Sequence, residues 1–358
     1  MKVFLYITSL SMGGAEQQCA LLAASLKRIY GYETEVIVSY PDRSNERLVE
    51  PLNRITIPIH GCPWKSVRGL VRLFRILRSG GRDSVLLCYN TFPNFWGGLI
   101  GRFAGLRKIY GGIRSEYLPW YHIAMDWFAQ RFLARGTIFN SYRAKDKFIA
   151  RYRFSRKKSY TISNSISDTD VYHDYSKVRD LIKVITVGTF KPPKDYYTWL
   201  KTIKMAREKN NRINGIVIGY GWQHSYILNW IATLGLNNAI EVVDGKTARD
   251  IPERLADADI YLSTSIIEGT SNSIMEGMRA ALPIVATDVG DNGYLIQNGE
   301  SGYICPVGDC NSLSAALLKF ADDAGLRRSF GERARMRMQE NHSESKIAFE
   351  YEKIIQGQ

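Results

Sequence analysis

The chain has 358 residues, 45% of them hydrophobic, which is too much for one ordinary core and fits two domains. No apolar run approaches the roughly 18 residues that span a bilayer. The five cysteines, Cys19, Cys62, Cys88, Cys305 and Cys310, are odd in number, scattered and without a C-x-x-C pair, which argues against a zinc site or a disulfide framework and for a reducing cytoplasm. The net charge of +13 is unevenly placed: residues 1–170 hold 26 Lys+Arg against 12 Asp+Glu, and residues 171–358 hold 22 against 23. The basic excess therefore belongs to the first half and points it toward an anionic partner, nucleic acid or an acidic membrane surface.

The N-terminus, MKVFLYITSL, lacks the charged region, long apolar core and small-residue site of a signal peptide. Its run KVFLYIT (2–8) reads as a buried parallel strand, followed by Gly13-Gly14 and a helix over 15–30. TEVIVSY (34–40), SVLLCYN (84–90), KIYGGI (108–113) and GTIFNS (136–141) continue the series. Between them, KSVRGLVRLFRILRSGGR (65–82) carries Val67, Leu70, Val71, Phe74 and Leu77 at helical spacing with Arg68, Arg72, Arg75 and Arg78 interleaved. That pattern suits either a helix lying on an anionic membrane or a core-packed helix with a solvated basic face. EYLPWYHIAMDWFAQRF (116–132) adds Trp120, Tyr121, Trp127 and Phe128 as core, acceptor platform or interface anchors. A polar stretch follows, and then a second series: KVITVGT (183–189), GIVIGYG (215–221), AIEVVDG (239–245), IYLSTS (260–265) and PIVATDV (283–289), with helices over 197–208 and 251–256. Repeated βα units predict parallel sheets covered by helices, and two series predict two α/β domains. Ligands of such sheets bind beyond the carboxyl ends of the strands, so facing sheets would share a cleft.

Four segments just after strands carry the chemistry. SLSMGGAEQQ (9–18) offers glycines at a helix start, either a phosphate cradle or a tight turn; it is not G-x-G-x-x-G. VGTFKPPKDY (187–196) offers Lys191 and Lys194 on a proline-stiffened loop, to neutralise a diphosphate or merely to face water. EGTSNSIMEG (268–277) holds two acids eight apart. Ser273 to Glu276 fits a capping box, in which Glu276 only ties back a backbone N–H. Alternatively, Glu268 in a loop and Glu276 in a first helical turn converge on one ligand, with a carboxylate suited to a ribose diol. DVGDNGYLIQNGESGYICPVGD (288–309) reads as a long turn region.

In this order the segments resemble the retaining glycosyltransferases of family 4, with the GT-B fold: two Rossmann-like parallel-sheet domains facing a central cleft. GGAE (13–16) resembles the family's glycine loop, ISNSISDTDVY (162–172) its inter-domain link, VGTFKPPKD its V-G-R-x-x-x-x-K-G, and 268–309 its C-terminal signature. The resemblance implies an N-terminal acceptor-binding domain over 1–165, a linker over 166–180, a nucleotide-sugar domain over 181–335, and a helix over 336–358 crossing back to the first domain. It implies Glu268 on the donor sugar, Glu276 on the ribose and Lys194, helped by Lys191, on the diphosphate. The donor-binding set is Gly13, Gly14, Gly188, Thr189, Gly219, Gly245, Thr270, Ser271, Asn272, Ser273 and Glu276. Neither a metal nor another cofactor is expected, since the lysines would carry the leaving-group charge.

The chain departs from the pattern in three places. The family's Arg after V-G is Thr189, the acid near its V-G-G loop is Tyr294, and its His after an N-terminal strand is replaced by GGIRSEY, which puts Arg114, Ser115 and Glu116 on the acceptor side. The expected function is transfer of a hexose or N-acetylhexosamine from a UDP-type sugar to a lipid-linked saccharide in surface polysaccharide or lipopolysaccharide synthesis. The expected location is the inner face of the cell membrane, with no nucleic-acid partner. A GT-B sugar-nucleotide epimerase and a nucleic-acid-binding protein using the basic half are the alternatives.

Overall fold

The apolar runs become strands. In the computed structural model, which describes residues 1–11, 13–167, 170–177, 179–245 and 250–357, the chain divides into two units: Met1–Ser167 with Glu344–Gln358, and Asp168–Ser343. The first holds β1 (Lys2–Ile7), β2 (Glu33–Val38), β3 (Ile59–Gly61), β4 (Val85–Cys88), β5 (Lys108–Ile113), β6 (Gly136–Phe139) and β7 (Ser159–Thr161), all parallel in the order β3-β2-β1-β4-β5-β6-β7. The second holds β8 (Ile182–Thr189), β9 (Ile213–Tyr220), β10 (Ile240–Asp244), β11 (Ile260–Ser263), β12 (Ile284–Thr287) and β13 (Gly302–Cys305), again all parallel, in the order β10-β9-β8-β11-β12-β13. Three strands were not legible beforehand, β3, β7 and β13. Each is an edge strand of three or four residues, too short to show a period and half-exposed, as edges tend to be. The stretch 288–309 is accordingly not a turn region throughout: it holds a helical turn, Asn292–Leu295, and β13.

Alternation along β1 divides the first unit's core into two layers. Val3, Leu5 and Ile7 pack with Cys19, Leu22 and Leu26 of the helix Gly14–Tyr30 and with Ile347, Tyr351, Ile354 and Ile355 of the final helix, Glu344–Gln356. Phe4 and Tyr6 face the other way, onto Leu73 and Leu77 of the helix Val67–Ser79. In the second unit Val184, Val217, Ile260, Leu262 and Val285 pack with Trp199, Leu200, Leu317 and Phe320.

The chain's last segment is two helices, not one. Ala324–His342 stays with the second unit, and Glu344–Gln356 belongs to the first. Residues 170–177 and 179–180 of the stretch read as a linker fall inside the second unit. There His173 Nδ1 meets the Ala256 carbonyl at 3.1 Å, and the Tyr175 hydroxyl donates to the Ala281 carbonyl at 2.6 Å. Asp168, Thr169 and Val178 of that stretch lie outside the described residues.

Because the final helix completes the first unit's core, Ile355→Ala should cost about 2–5 kcal/mol in urea unfolding. Lys353→Ala on its outer face should stay within about 0.5 kcal/mol. Equal effects would mean that the helix is not part of that core.

Candidate functional site

In the second unit the strand order reverses between β8 and β11, the position at which open parallel sheets leave a crevice. The loops that follow these two strands carry Lys194 and Glu268. After β8, buried Phe190 anchors the chain, Pro192–Lys194 makes one turn of 3-10 helix, and Asp195 caps the helix Tyr196–Lys209 by accepting from the Thr198 N–H at 3.2 Å. The two loops are tied together. The Thr264 hydroxyl donates to the carbonyls of Lys194 and Asp195 at 3.2 and 2.9 Å, and the Ile266 N–H donates to the Pro193 carbonyl at 2.8 Å. This seam lays Lys194 against Glu268 as an ion pair, with the Ser265 hydroxyl donating to the same Glu268 oxygen at 2.8 Å. Lys191 is exposed and forms no ion pair among the described residues.

Glu276 is not part of a capping box. The helix Asn272–Arg279 begins two residues too early for that, with Ser271 in the cap position and no side-chain cap bond. Ser273 is then the second helical residue and Glu276 the fifth, and the Ser273 hydroxyl meets that of Ser271 at 3.2 Å. The Glu276 carboxyl accepts no hydrogen bond among the described residues. Burial pushes its pKa up, against the pull of Arg279 and Lys194. Thr270 is buried and its hydroxyl turns to Asp291 at 3.4 Å, while Asn272 starts the helix. Gly290, at φ +49°, presses on the backbone of Glu268 and Gly269, where a Cβ would come within 2.5 Å.

Gly188, Gly219 and Gly245 form a bare backbone wall at the carboxyl ends of β8, β9 and β10. Gly188 pairs with Gly219 in register, the Gly245 N–H donates to the Gly219 carbonyl at 2.9 Å, and a Cβ on Gly219 would sit 1.9 Å from the Gly188 carbonyl oxygen. Thr189, the residue in place of the family's Arg, ends β8 beside them, half-buried.

The remaining sequence candidates belong to the first unit. Gly13 is extended and caps the helix that Gly14 begins; the Glu16 carboxylate folds over it, accepting from the Ser11 hydroxyl at 3.2 Å. Arg114, Ser115 and Glu116 follow β5. The Ser115 hydroxyl is engaged locally, accepting from the Tyr117 N–H and donating to the Tyr117 carbonyl, while Glu116 receives Lys147 on its carbonyl. Arg114 lines a cavity of about 270 Å³ at the carboxyl ends of β1, β4 and β5, together with Asn90, Phe92, His122 and Asp126.

Asn90, Thr91, Asn94 and Asp126 were not found by sequence reasoning. Asp126 is 2% exposed and accepts from the Thr91 hydroxyl and from the Asn94 side-chain amide, both at 2.8 Å. Asn94 also exchanges hydrogen bonds with the backbone of Gly112. Asn90, between β4 and the helix Thr91–Phe103, is held at φ +72°, ψ 165°, a region open mainly to glycine. The one available signal was His122 and Asp126, four apart on the helix Trp120–Phe128 and hence on one face. Among the described residues no three His, Cys, Asp or Glu side chains gather as a metal-holding group.

Burial pushes the Asp126 carboxyl up to about 7, against the pull of Asn94 and Thr91. Between the ordinary value of about 4 and this one the native state keeps a proton that the unfolded chain has released, so the group's contribution to stability falls as pH rises. Asp126→Asn should therefore gain on the wild type from pH 4 to pH 8 in parallel denaturant titrations, by up to about 4 kcal/mol at about 1.4 per pKa unit. A pH-independent difference would contradict the burial effect.

Comparison with known proteins agrees with this architecture. Residues 12–170 match the family described as Glycosyltransferase Family 4, and residues 173–337 match Glycosyl transferases group 1. Among curated proteins, the chain is 31% identical over 139 residues to N-acetyl-alpha-D-glucosaminyl L-malate synthase of Bacillus anthracis, a stretch covering 39% of this chain and 36% of that protein. It is 26% identical over 155 residues to the amylovoran biosynthesis glycosyltransferase AmsK of Erwinia amylovora, covering 40% and 38%. The chain thus spans little more than a third of the length of these relatives. Among solved structures, Alr3699/HepE of Anabaena, determined with UDP-glucose, shares the fold at a TM-score of 0.84 and 17% identity, covering all of both chains. With two α/β units of parallel sheet and the two family domains arranged in sequence along it, the chain belongs to the family 4, group 1 glycosyltransferases of the GT-B fold.

Proposed function

We propose that the protein is a retaining glycosyltransferase that moves a hexose or N-acetylhexosamine from a UDP-sugar to a lipid-linked saccharide in surface polysaccharide or lipopolysaccharide synthesis. The carrying observation is the crevice between β8 and β11, where the Lys194–Glu268 pair and the donor-free Glu276 carboxyl lie beside the glycine wall. A carboxylate with open lone pairs suits a ribose diol, and bare backbone lets a flat base approach closely. The UDP-glucose seen in HepE and the polysaccharide named for AmsK support the donor and pathway class.

In this scheme Glu268 holds the sugar hydroxyls, and Lys194 shifts from Glu268 toward the diphosphate, helped by Lys191. The donor's C1–O bond to phosphate breaks as the acceptor hydroxyl forms the new C1–O bond on the same face. The acceptor's proton goes to the departing phosphate oxygen, so no side chain acts as covalent nucleophile. The two lysines take the charge that a divalent ion would otherwise carry, and turnover should survive chelation by EDTA.

The membrane side of the proposal rests on the helix Val67–Ser79. It packs inward through Gly69, Leu73 and Leu77, yet leaves Val67, Val71 and Phe74 exposed as a second apolar row flanked by Arg68, Arg72, Arg75 and Arg78. Trp120, Trp127, Phe128 and Phe132 of the same unit are also exposed, at 80%, 38%, 40% and 58%. Aromatics and arginines together suit the headgroup region of an anionic bilayer. No helix among the described residues is long and apolar enough to cross one.

Glu276→Gln should weaken UDP binding roughly 10–100-fold, the scale of losing hydrogen bonds to a charged group. It should at the same time raise the melting temperature of the ligand-free protein, because a half-buried carboxylate without donors is removed. Calorimetric titration with UDP and a thermal melt read the two effects; unchanged UDP affinity would remove the ribose assignment. Donor incubated alone should stay unaltered, whereas a new sugar nucleotide would indicate an epimerase. On vesicles containing anionic lipid, Val71→Asp with Phe74→Asp should abolish co-sedimentation; retention of binding would exclude this helix as the contact.

A further inference from the structure

The cavity of the first unit lies where that sheet's strand order reverses, between β1 and β4. Its arginine, Arg114, and its carboxyl, Asp126, are left without charged partners. Arg114 lies over the Tyr89 ring, 4.5 Å from the centroid, and donates from Nη2 to the Tyr351 hydroxyl at 2.7 Å. Both partners are neutral. Its Nε is sealed from solvent without an acceptor, and no carboxylate pairs with the guanidinium among the described residues. A guanidinium offers five N–H donors and no acceptor, so an enclosed one lacking a counter-ion calls for an anion. Asp126 does not fill that role: the groups acting on its carboxyl are Thr91 and Asn94, not Arg114. Each of its oxygens receives one donor and keeps a lone pair for another.

The space between these groups is small. About 270 Å³ falls just below the roughly 300–1,000 Å³ of ordinary ligand sites, which suits one sugar ring or a hydroxy acid rather than a nucleotide sugar. Phe92 and the edge-on His122, 5.2 Å apart, supply an apolar wall for the C–H face of such a ring. The backbone of Asn90, strained in a glycine-like conformation, is the kind of departure found at ligand clamps.

We propose that this cavity binds an anionic hydroxy compound, with its phosphate or carboxylate against Arg114 and a hydroxyl against Asp126, and that the acceptor presents such a group. The identification of this ligand as the acceptor rests on the glycosyl-transfer reading; the binding itself does not.

The test uses the full chain, with calorimetry and thermal melts at matched ionic strength. The probes are D-glucose 6-phosphate, D-glucuronate, L-malate, inorganic phosphate and neutral D-glucose. The anionic hydroxy probes should bind and raise the melting temperature, and glucose should not. The stronger of the phosphate and carboxylate arms identifies the anionic group. Arg114→Gln should weaken the preferred probe at least about tenfold, and Arg114→Lys should recover part of that loss. Asp126→Asn should weaken hydroxylated probes while leaving inorganic phosphate unchanged. UDP binding is read in parallel, and a cooperative urea transition reports whether each variant is folded. If Arg114→Gln does not fold, the wild-type comparison of glucose with glucose 6-phosphate and the Lys variant decide. Equal binding of glucose and the anionic probes, or full affinity in folded Arg114→Gln, overturns the proposal. Anionic probes binding without UDP would leave this site standing and remove the glycosyltransferase reading. UDP binding without any anionic probe would do the reverse.

Discussion

Thr264 stands at the end of β11 with its hydroxyl bonded to the carbonyls of Lys194 and Asp195. The turn it holds is poor in bonds of its own, because Pro192 and Pro193 bring no N–H donors. Docked to β11, the turn has its carbonyls satisfied, and Lys194 is placed where Glu268 can meet it. Glu268 is fixed in turn by Ser265 beneath it and by Gly290, whose missing side chain lets the following loop press on the backbone of Glu268 and Gly269. Loops from three different strands are thus locked by two hydroxyls, one glycine and one ion pair. Ions at this depth contribute less through their attraction than through where they hold the chain.

Two carboxyls, one buried and one half-buried, show how differently a fold can treat the same group. Asp126 keeps two neutral donors and has no cation among the groups acting on it, so burial dominates and its proton is retained toward neutrality. Glu276 has two cations acting on it and no hydrogen bond among the described residues. Burial raises its pKa as well, against the pull of Arg279 and Lys194, and its lone pairs are open to a ligand. The first arrangement suits a hydroxyl that can give or take a proton; the second suits a diol that only donates.

Much of this was legible in the sequence, and the gaps have physical causes. Buried central strands announce themselves as apolar runs, so β1, β5 and β8 were placed within a residue or two. The edges β3, β7 and β13 are three or four residues long and gain their pairing from the neighbour, not from pattern. EGTSNSIMEG misleads because a capping box and a ligand loop use the same residue types; only the start of the helix at Asn272 separates them. The helix 67–79 could be read as core or as membrane surface, and both rows exist: the inner one faces Phe4 and Tyr6, and the outer one is open. Only its spacing of four from His122 hinted at Asp126, since its character depends on Thr91 and Asn94, more than thirty residues earlier.

The final helix bears on the cavity through β5. Lys108 and Tyr110 donate to the carbonyls of Ile355 and Ile354, and Arg114 donates to the Tyr351 hydroxyl. A cation and a hydroxyl at the carboxyl end of that helix satisfy groups the helix cannot satisfy itself and complement its negative pole. The same strand therefore anchors the chain's last turn and aims the guanidinium. Tyr351 supplies a neutral acceptor, which orients Arg114 without cancelling its charge. An acid at that position would have completed the ion pair internally and closed the cavity to anions. With Tyr89 beneath and Tyr351 beside it, Arg114 is held in place while its charge remains available.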